Sequence, residues 1–301
     1  MEKLRENIGK NYKNIIIENI NEKKNCTIHS IYFIKTLTEK YVVKVFSKEE
    51  KRQMIASTEI QMLMSKKNLA PSIIINNYGN LYTSYKDKFY FIQVFVEENI
   101  LGNNDVYCQA LAVKNLHYEL SLVRNEKFTK ERKRIFYEDI KLDILQLKNK
   151  IKQNYFGKEI YEKLEELVVI REKILNIYKV NYVPKFYAII HGDIRPSNII
   201  RNGDKYIFLD FDYVSWGDFI YSIGSAAMLL GNYSLEFFKE FLKVYLNDIN
   251  ISIDEVILDL MGYYVQSNFP VKLIGNISDK VVLKMIEERK KALEFLKICM
   301  E

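Results

Sequence analysis

Two short segments, His191-Gly192-Asp193-Ile194-Arg195-Pro196-Ser197-Asn198 and Leu209-Asp210-Phe211-Asp212, constrain this chain more than any other feature. The apolar run Phe186-Tyr187-Ala188-Ile189-Ile190 reads as a buried strand entering the first segment. Tyr206-Ile207-Phe208-Leu209 reads as a second strand, ending at Asp210. Both acids therefore sit at strand ends, where a side chain is rigidly placed yet open to a ligand. One carboxylate there can orient a hydroxyl and take its proton. An Asn and a second carboxylate can hold a magnesium ion that bridges nucleotide phosphates. Gly, Asp, Pro, Ser and Asn are also ordinary turn formers, so the weight falls on the pair of segments and on what lies upstream.

Upstream, Tyr41-Val42-Val43-Lys44-Val45-Phe46 is a β-branched, aromatic strand interrupted by one lysine. A charge in so apolar a strand is costly unless it faces a partner. Alternation puts Tyr41, Val43 and Val45 on one face and Lys44 on the other with Val42 and Phe46. The segment 48–67 has helical character and carries Glu59, fifteen residues after Lys44. Ile55, Glu59, Met62 and Leu63 fall near one face, and an acid on a packed face points to Lys44 as its partner. Glu49 and Glu50 are nearby competitors. The plain alternatives are an edge-strand lysine that discourages aggregation and a solvated helix glutamate. Leu69-Ala70-Pro71 ends the helix.

Taken together, these segments resemble the kinase-like small-molecule phosphotransferases. That superfamily includes aminoglycoside phosphotransferases, choline and homoserine kinases, and spore-coat kinase-like proteins. Its pattern is H-G-D-x-x-x-x-N, then a hydrophobic strand ending in D-[F/W]-[D/E/G], and this chain has both halves. The resemblance implies an α+β, protein-kinase-like two-lobe fold. A small N-lobe would hold an antiparallel sheet plus one helix, and a larger C-lobe would be mostly helical. The resemblance also implies ATP and Mg2+, with Asp193 as catalytic base and Asn198 and Asp210 as metal ligands. Lys44 would reach the α- and β-phosphates and Glu59 would hold Lys44. The strand Phe89–Glu97 resembles the one leading into a kinase hinge, so Val94 and Val96 would bracket a backbone site for adenine. Arg195 stands where many protein kinases place a lysine that contacts the transferred phosphoryl group. It is a candidate for that contact or a surface arginine paired with a neighbouring acid. The likeness covers most of the chain, is strongest over 186–224, and is weakest in the C-lobe helices, where substrate is usually chosen.

The chain departs from the pattern in two further places. No G-x-G-x-x-G is present: the turn expected to cover the phosphates, Asn19 to Cys26, has no glycine. Ser222 stands where relatives have an aspartate that braces the catalytic loop. Two function classes follow. One is a kinase acting on the hydroxyl of a small molecule. The other is a catalytically weak kinase-fold protein with a binding or structural role, for example in a spore coat. The span from Asp210 to Ser222 is too short for a protein-kinase activation loop.

With 301 residues, the chain can bury two sizeable cores. The expected organisation is an N-lobe over 1–93, a hinge over 94–97 and a C-lobe over 98–301. Eleven Gly and four Pro favour long helices, expected near 106–122, 135–152, 157–178, 222–230, 235–246, 253–267 and 278–300. In the first of these, Leu111, Val113, Leu116 and Leu120 form the apolar side. The net charge of +6 includes a basic cluster from Arg124 to Arg134. It has no interleaved aromatic beyond Phe128 and no nucleic-acid motif, so a solvated loop is expected rather than nucleic-acid binding. No dense run of acids marks the C-lobe helices as a groove for a cationic aminoglycoside. Cys26, Cys108 and Cys299 lie far apart, and His29, His117 and His191 show no metal spacing. No apolar run reaches the ~18–20 residues of a membrane span, and the charged N-terminus lacks a signal region. A cytoplasmic protein is expected, with a small-molecule partner.

Overall fold

The computed structural model describes residues 2–23, 29–97, 105–123, 137–153, 157–181, 183–203, 205–266 and 278–301. The readings that involve Cys26 and the Arg124–Arg134 cluster lie outside these residues. The chain forms two compact units. The first comprises Met1–Gly102, Asn115–Thr129 and Ile189–Trp216, and the second Asn103–Lys114, Lys130–Ala188 and Gly217–Glu301. The segment carrying both sequence motifs thus condenses with the N-terminal sheet, whereas the sequence reading put it with the C-lobe.

In the first unit, β1 (Asn19–Glu22), β2 (Ser30–Lys35), β3 (Lys40–Phe46), β4 (Ile73–Ile74), β5 (Thr83–Tyr85) and β6 (Lys88–Val94) build an antiparallel sheet. The strand order is β1-β2-β3-β6-β4, with β5 also on β6. Strand alternation sorts the side chains as expected. Tyr41, Val43 and Val45 join Tyr90 and Ile92 in one core. Phe46 joins Phe91 and Met54 in another, and Lys44, on the Phe46 face, stands opposite Phe91 in the register.

Two helices pack in this region, where one was expected. The additional helix is α1 (Glu2–Asn11), and its Leu4 and Ile8 are buried in the core that contains Val43. Tyr12 extends their spacing of four, and its hydroxyl accepts from the Thr83 hydroxyl at 3.1 Å. Charges at most other positions of α1 mask this stripe in the sequence. The expected helix is α2 (Lys51–Ser65), shorter than the segment read from the sequence.

The second unit is helical. It contains α4 (Tyr137–Lys152), α5 (Lys158–Tyr178), α6 (Phe219–Leu230), α7 (Leu235–Tyr245), α8 (Ile253–Gln266) and α9 (Asp279–Met300). The helix α3 (Val106–Ser121) begins in this unit and ends in the first. Val113, Leu116 and Leu120 of α3 are buried as expected, but Leu111 is exposed. Leu164, Leu167, Val168, Ile174 and Leu175 give α5 a continuous buried stripe. The same stripe includes Arg171, whose Nε donates to the Val265 carbonyl near the end of α8 at 2.7 Å. Asp218 caps α6, and a Cβ on Gly224 would come within 2.6 Å of Val256 and Leu260. That glycine lets α6 and α8 approach closely.

Acids three and four residues apart share a helix face. Glu162, Glu165 and Glu166 therefore line one groove with Glu294 and Lys290, of about 520 Å³, although no dense run of acids marks it in the sequence. Lys290 bonds Glu166 at 2.8 Å and partly neutralises the groove. Among the described residues, no helix is long and apolar enough to cross a membrane.

Candidate active site

The strand β7 (Tyr187–Ile190) delivers His191, and the chain turns at Gly192 with φ +83°. A Cβ at Gly192 would lie 2.5 Å from the Tyr213 carbonyl oxygen, so both conformation and space call for glycine. His191 is fully buried. Its Nε2 lies 2.9 Å from the Leu209 carbonyl, and its Nδ1 accepts from the Asp193 N–H at 3.3 Å. The ring therefore donates through Nε2 and accepts through Nδ1, which requires the neutral form. Burial pushes its pKa down to about 4. His191 ties the two motif segments together and is not placed to titrate near neutral pH.

Pro196 opens a 3-10 turn through Asn198, which leads into β8 (Ile199–Asn202) and β9 (Lys205–Phe208). The hairpin extends one step past its strands, because the Leu209 N–H donates to the Asn198 carbonyl at 2.8 Å. Asn198 and Asp210 are thereby fixed at one end of one ladder. The Asn198 amide donates to Asp193 Oδ2 at 2.9 Å and to the Asp193 carbonyl at 3.0 Å. Arg195 Nε donates to Asp193 Oδ1 at 2.6 Å, with Nη2 at 2.5 Å. Asp193 thus keeps one oxygen for each neighbour. Burial raises its pKa, and Arg195 and Asn198 offset part of that rise. Arg195 is thus paired with a neighbouring acid, and that acid is Asp193.

Asp210 adopts a left-handed conformation, φ 63° and ψ 63°, uncommon for a residue other than glycine. It aims its carboxylate at Lys44, whose Nζ donates to Asp210 Oδ1 at 2.6 Å and to Asp212 Oδ2 at 3.0 Å. Lys44 is buried, and burial by itself lowers its pKa. The charges of Asp212 and Asp210 outweigh that and raise its pKa. The two acids diverge. Burial opposes ionisation of Asp210, but Lys44 prevails and holds it at about 2. Burial pushes Asp212 up to about 7, with Lys44 offsetting part and the Asp210 charge adding to it.

The partners of Lys44 differ from the one expected. Glu59 is not one of the carboxylates that Lys44 contacts. The α2 side chain that meets the 210–214 segment is Gln53, whose amide donates to the carbonyls of Asp212 and Val214, each at 2.9 Å. Ser57 and Gln61 continue that stripe at intervals of four and are buried. Glu59 lies two residues from Ser57, about 200° round the helix. In the expected hinge, the Val94 N–H is used inside the sheet, donating to the Ser72 carbonyl at 2.9 Å, and the Phe95 N–H donates to the Lys40 carbonyl. Among the described residues the Val96 N–H has no such backbone partner. The sequence reading quoted Asp212 without giving it a role, weighed His29 only as a metal ligand, and did not name Gln53. The D-F-D pattern held a signal for Asp212; no sequence signal marked the other two.

A magnesium ion fits the donors present. Asn198 Oδ1 and Asp210 are hard oxygen ligands, and the described residues include no group of three or more His, Cys, Asp or Glu that could hold a metal by itself. Two protein ligands, completed by phosphate and water, are the usual arrangement for magnesium at a nucleotide.

The model of the phosphotransferase enzyme family matches residues 27–252. The chain belongs to that family. No curated protein matches it. Among solved structures, this phosphotransferase is similar to the spectinomycin phosphotransferase APH(9)-Ia in complex with ADP and spectinomycin. The two are 16% identical with a TM-score of 0.69, over 99% of this chain and 98% of that one. An ethanolamine kinase of Plasmodium vivax is 18% identical with a TM-score of 0.59, over 93% and 84%. A choline kinase of Streptococcus pneumoniae is 13% identical with a TM-score of 0.60, over 97% and 98%. At these identities the likeness establishes the fold, which is the α+β, kinase-like one expected from the sequence.

Proposed function

We propose that this phosphotransferase transfers the γ-phosphate of ATP to a hydroxyl group of a small molecule. The observation that carries the reading is the convergence of Lys44, Asp210 and Asp212 beside the Asp193–Arg195–Asn198 cluster. Asp210 and Asn198 Oδ1 would hold Mg2+, which supplies positive charge to the β- and γ-phosphates. Lys44 would exchange its carboxylate contacts for phosphate oxygens. Asp193 would accept the acceptor's hydroxyl proton on the oxygen it shares with Asn198, while Arg195 holds the other oxygen. The acceptor oxygen bonds to the γ-phosphorus, the bond from that phosphorus to the β–γ bridging oxygen breaks, and ADP leaves. Positioning and charge carry such a reaction.

The supporting experiment joins binding to turnover. ATP with magnesium should raise the melting temperature, by mass action on the folded state. ADP release should then be screened across small alcohols and amino-sugars. Stabilisation by ATP without turnover on any acceptor favours the binding or structural reading. Absence of both sinks the phosphotransferase reading of this chain.

A further inference from the structure

His29 stands at the end of the β1–β2 connection, directly before β2. The register Ser30↔Val45 and Ile31↔Lys44 brings it alongside Phe46, and the two rings meet tilted by 40° with centroids 4.1 Å apart. Phe46 shares a strand face with Lys44, so the imidazole lies on the lysine's side of the sheet. Its Nε2 is 3.5 Å from Asp212 Oδ2, the oxygen that Lys44 contacts at 3.0 Å. Its Nδ1 is 3.6 Å from Glu50 Oε1. Both separations exceed a good hydrogen bond, and Nδ1 is buried without a partner. The ring is only 12% exposed, so Nδ1 has little water to turn to. Leaving a buried donor unsatisfied is costly unless an acceptor arrives.

The connection beside it explains which acceptor would suit. Residues 23–29 contain no glycine, the residue that most readily lets a backbone amide approach a phosphate closely. A side-chain donor next to Lys44 supplies the same chemistry, and phosphate oxygens form short, charge-assisted hydrogen bonds.

We propose that His29 is a nucleotide-binding residue, donating from its imidazole to the terminal phosphates of a nucleoside triphosphate alongside Lys44. The assignment rests on the phosphotransferase reading above and adds a phosphate contact to it. A contact confined to the terminal phosphates discriminates triphosphate from monophosphate.

Calorimetric titration of ATP and AMP, each with magnesium, into the wild type, His29→Phe and His29→Gln tests this. His29→Phe keeps a ring against Phe46 and removes the donors; His29→Gln keeps a donor and removes the ring. His29→Phe should weaken ATP about tenfold, the size of one hydrogen bond to a charged group, and change AMP less than twofold. His29→Gln should retain most of the ATP affinity. Wild-type ATP affinity in His29→Phe, or equal losses for ATP and AMP, overturns the assignment and leaves His29 as a packing residue. A wild-type protein that binds no ATP overturns the phosphotransferase reading, and this assignment with it.

Discussion

Replacing Asp259 with asparagine should stabilise the helical unit in alkaline solution and change it little in mild acid. Asp218 Oδ1 caps α6, accepting from the Ile220 N–H at 2.9 Å and the Tyr221 N–H at 3.3 Å. The Asp259 side chain, on α8, reaches the Asp218 carboxyl, and its own Oδ2 is buried without a donor. Two ionised carboxylates in contact repel, whereas one shared proton makes a donor and an acceptor of them. Burial first, and the Asp218 charge second, push the Asp259 pKa up to about 8. Lys185, which bonds Glu255 at 2.6 Å, offsets only part of this.

In the unfolded chain the same carboxyl titrates near ~4. Between that value and about 8, the folded state holds a proton that the unfolded state has released. Stability therefore falls as pH rises through this window. Four pKa units at about 1.4 kcal/mol each set a ceiling of roughly 6 kcal/mol. Solvent at the partly exposed edge of Asp259 roughly halves it, to about 3 kcal/mol. Some 2 kcal/mol of that change should fall between about pH 5 and about pH 9. An asparagine amide donates to Asp218 at every pH. Urea denaturation of both proteins should then show Asp259→Asn gaining about 2 kcal/mol on the wild type from about pH 5 to about pH 9. A difference that stays constant to within about 0.5 kcal/mol would refute the shared proton.

Three further outcomes follow from the site. Asp193→Asn should lower turnover by roughly a thousandfold, within the usual contribution of one general base, while ATP affinity measured by calorimetry stays within twofold. Comparable turnover with a verified acceptor would remove Asp193 from the chemistry. Asp210→Asn should abolish the magnesium-dependent part of ATP stabilisation in thermal melts, and an unchanged magnesium response would move the metal elsewhere. Gly192→Ala forces a Cβ to within 2.5 Å of the Tyr213 carbonyl at a positive φ. It should cost about 1–3 kcal/mol from backbone strain alone, read as a lower urea midpoint, and a variant as stable as wild type would contradict the turn geometry.

What the sequence disclosed is what covalent spacing controls. Asp193, Asn198 and Asp210 are locked by one turn and one hairpin, so their joint placement followed from the pattern and the strands around it. Lys44 was visible because a lone charge in an apolar strand needs a partner. The tips of α5 and α9 fell within about two residues of expectation, where long periodic stripes run into turn formers. By contrast, α1 was hidden by its charges, and His29 meets Asp212 only through the pairing of β2 with β3 and the path of a distant segment. No local periodicity encodes such a meeting.

The partner of Lys44 was missed for a sharper reason. Helix azimuth advances about 100° per residue, so choosing Glu59 over Ser57 moves the acid to another face. The stripe that faces the 210–214 segment is Gln53, Ser57 and Gln61, polar but uncharged. Gln61 is spent on Gln93 and the Pro71 carbonyl, and Gln53 on two carbonyls. Ser57 Oγ is buried without a partner, and a hydroxyl there offers Lys44 no countercharge. With no acid on that stripe, the buried ammonium is neutralised by Asp210 and Asp212 instead. One of these is the carboxylate proposed to hold magnesium. Filling the metal site therefore takes a charge away from Lys44 at the moment nucleotide phosphates become available to replace it. Metal and nucleotide should accordingly bind with positive coupling, each tightening the other by the same factor. Magnesium titrations with and without ATP measure that factor directly; a value of one would mean that Lys44 keeps its carboxylates when the nucleotide is bound.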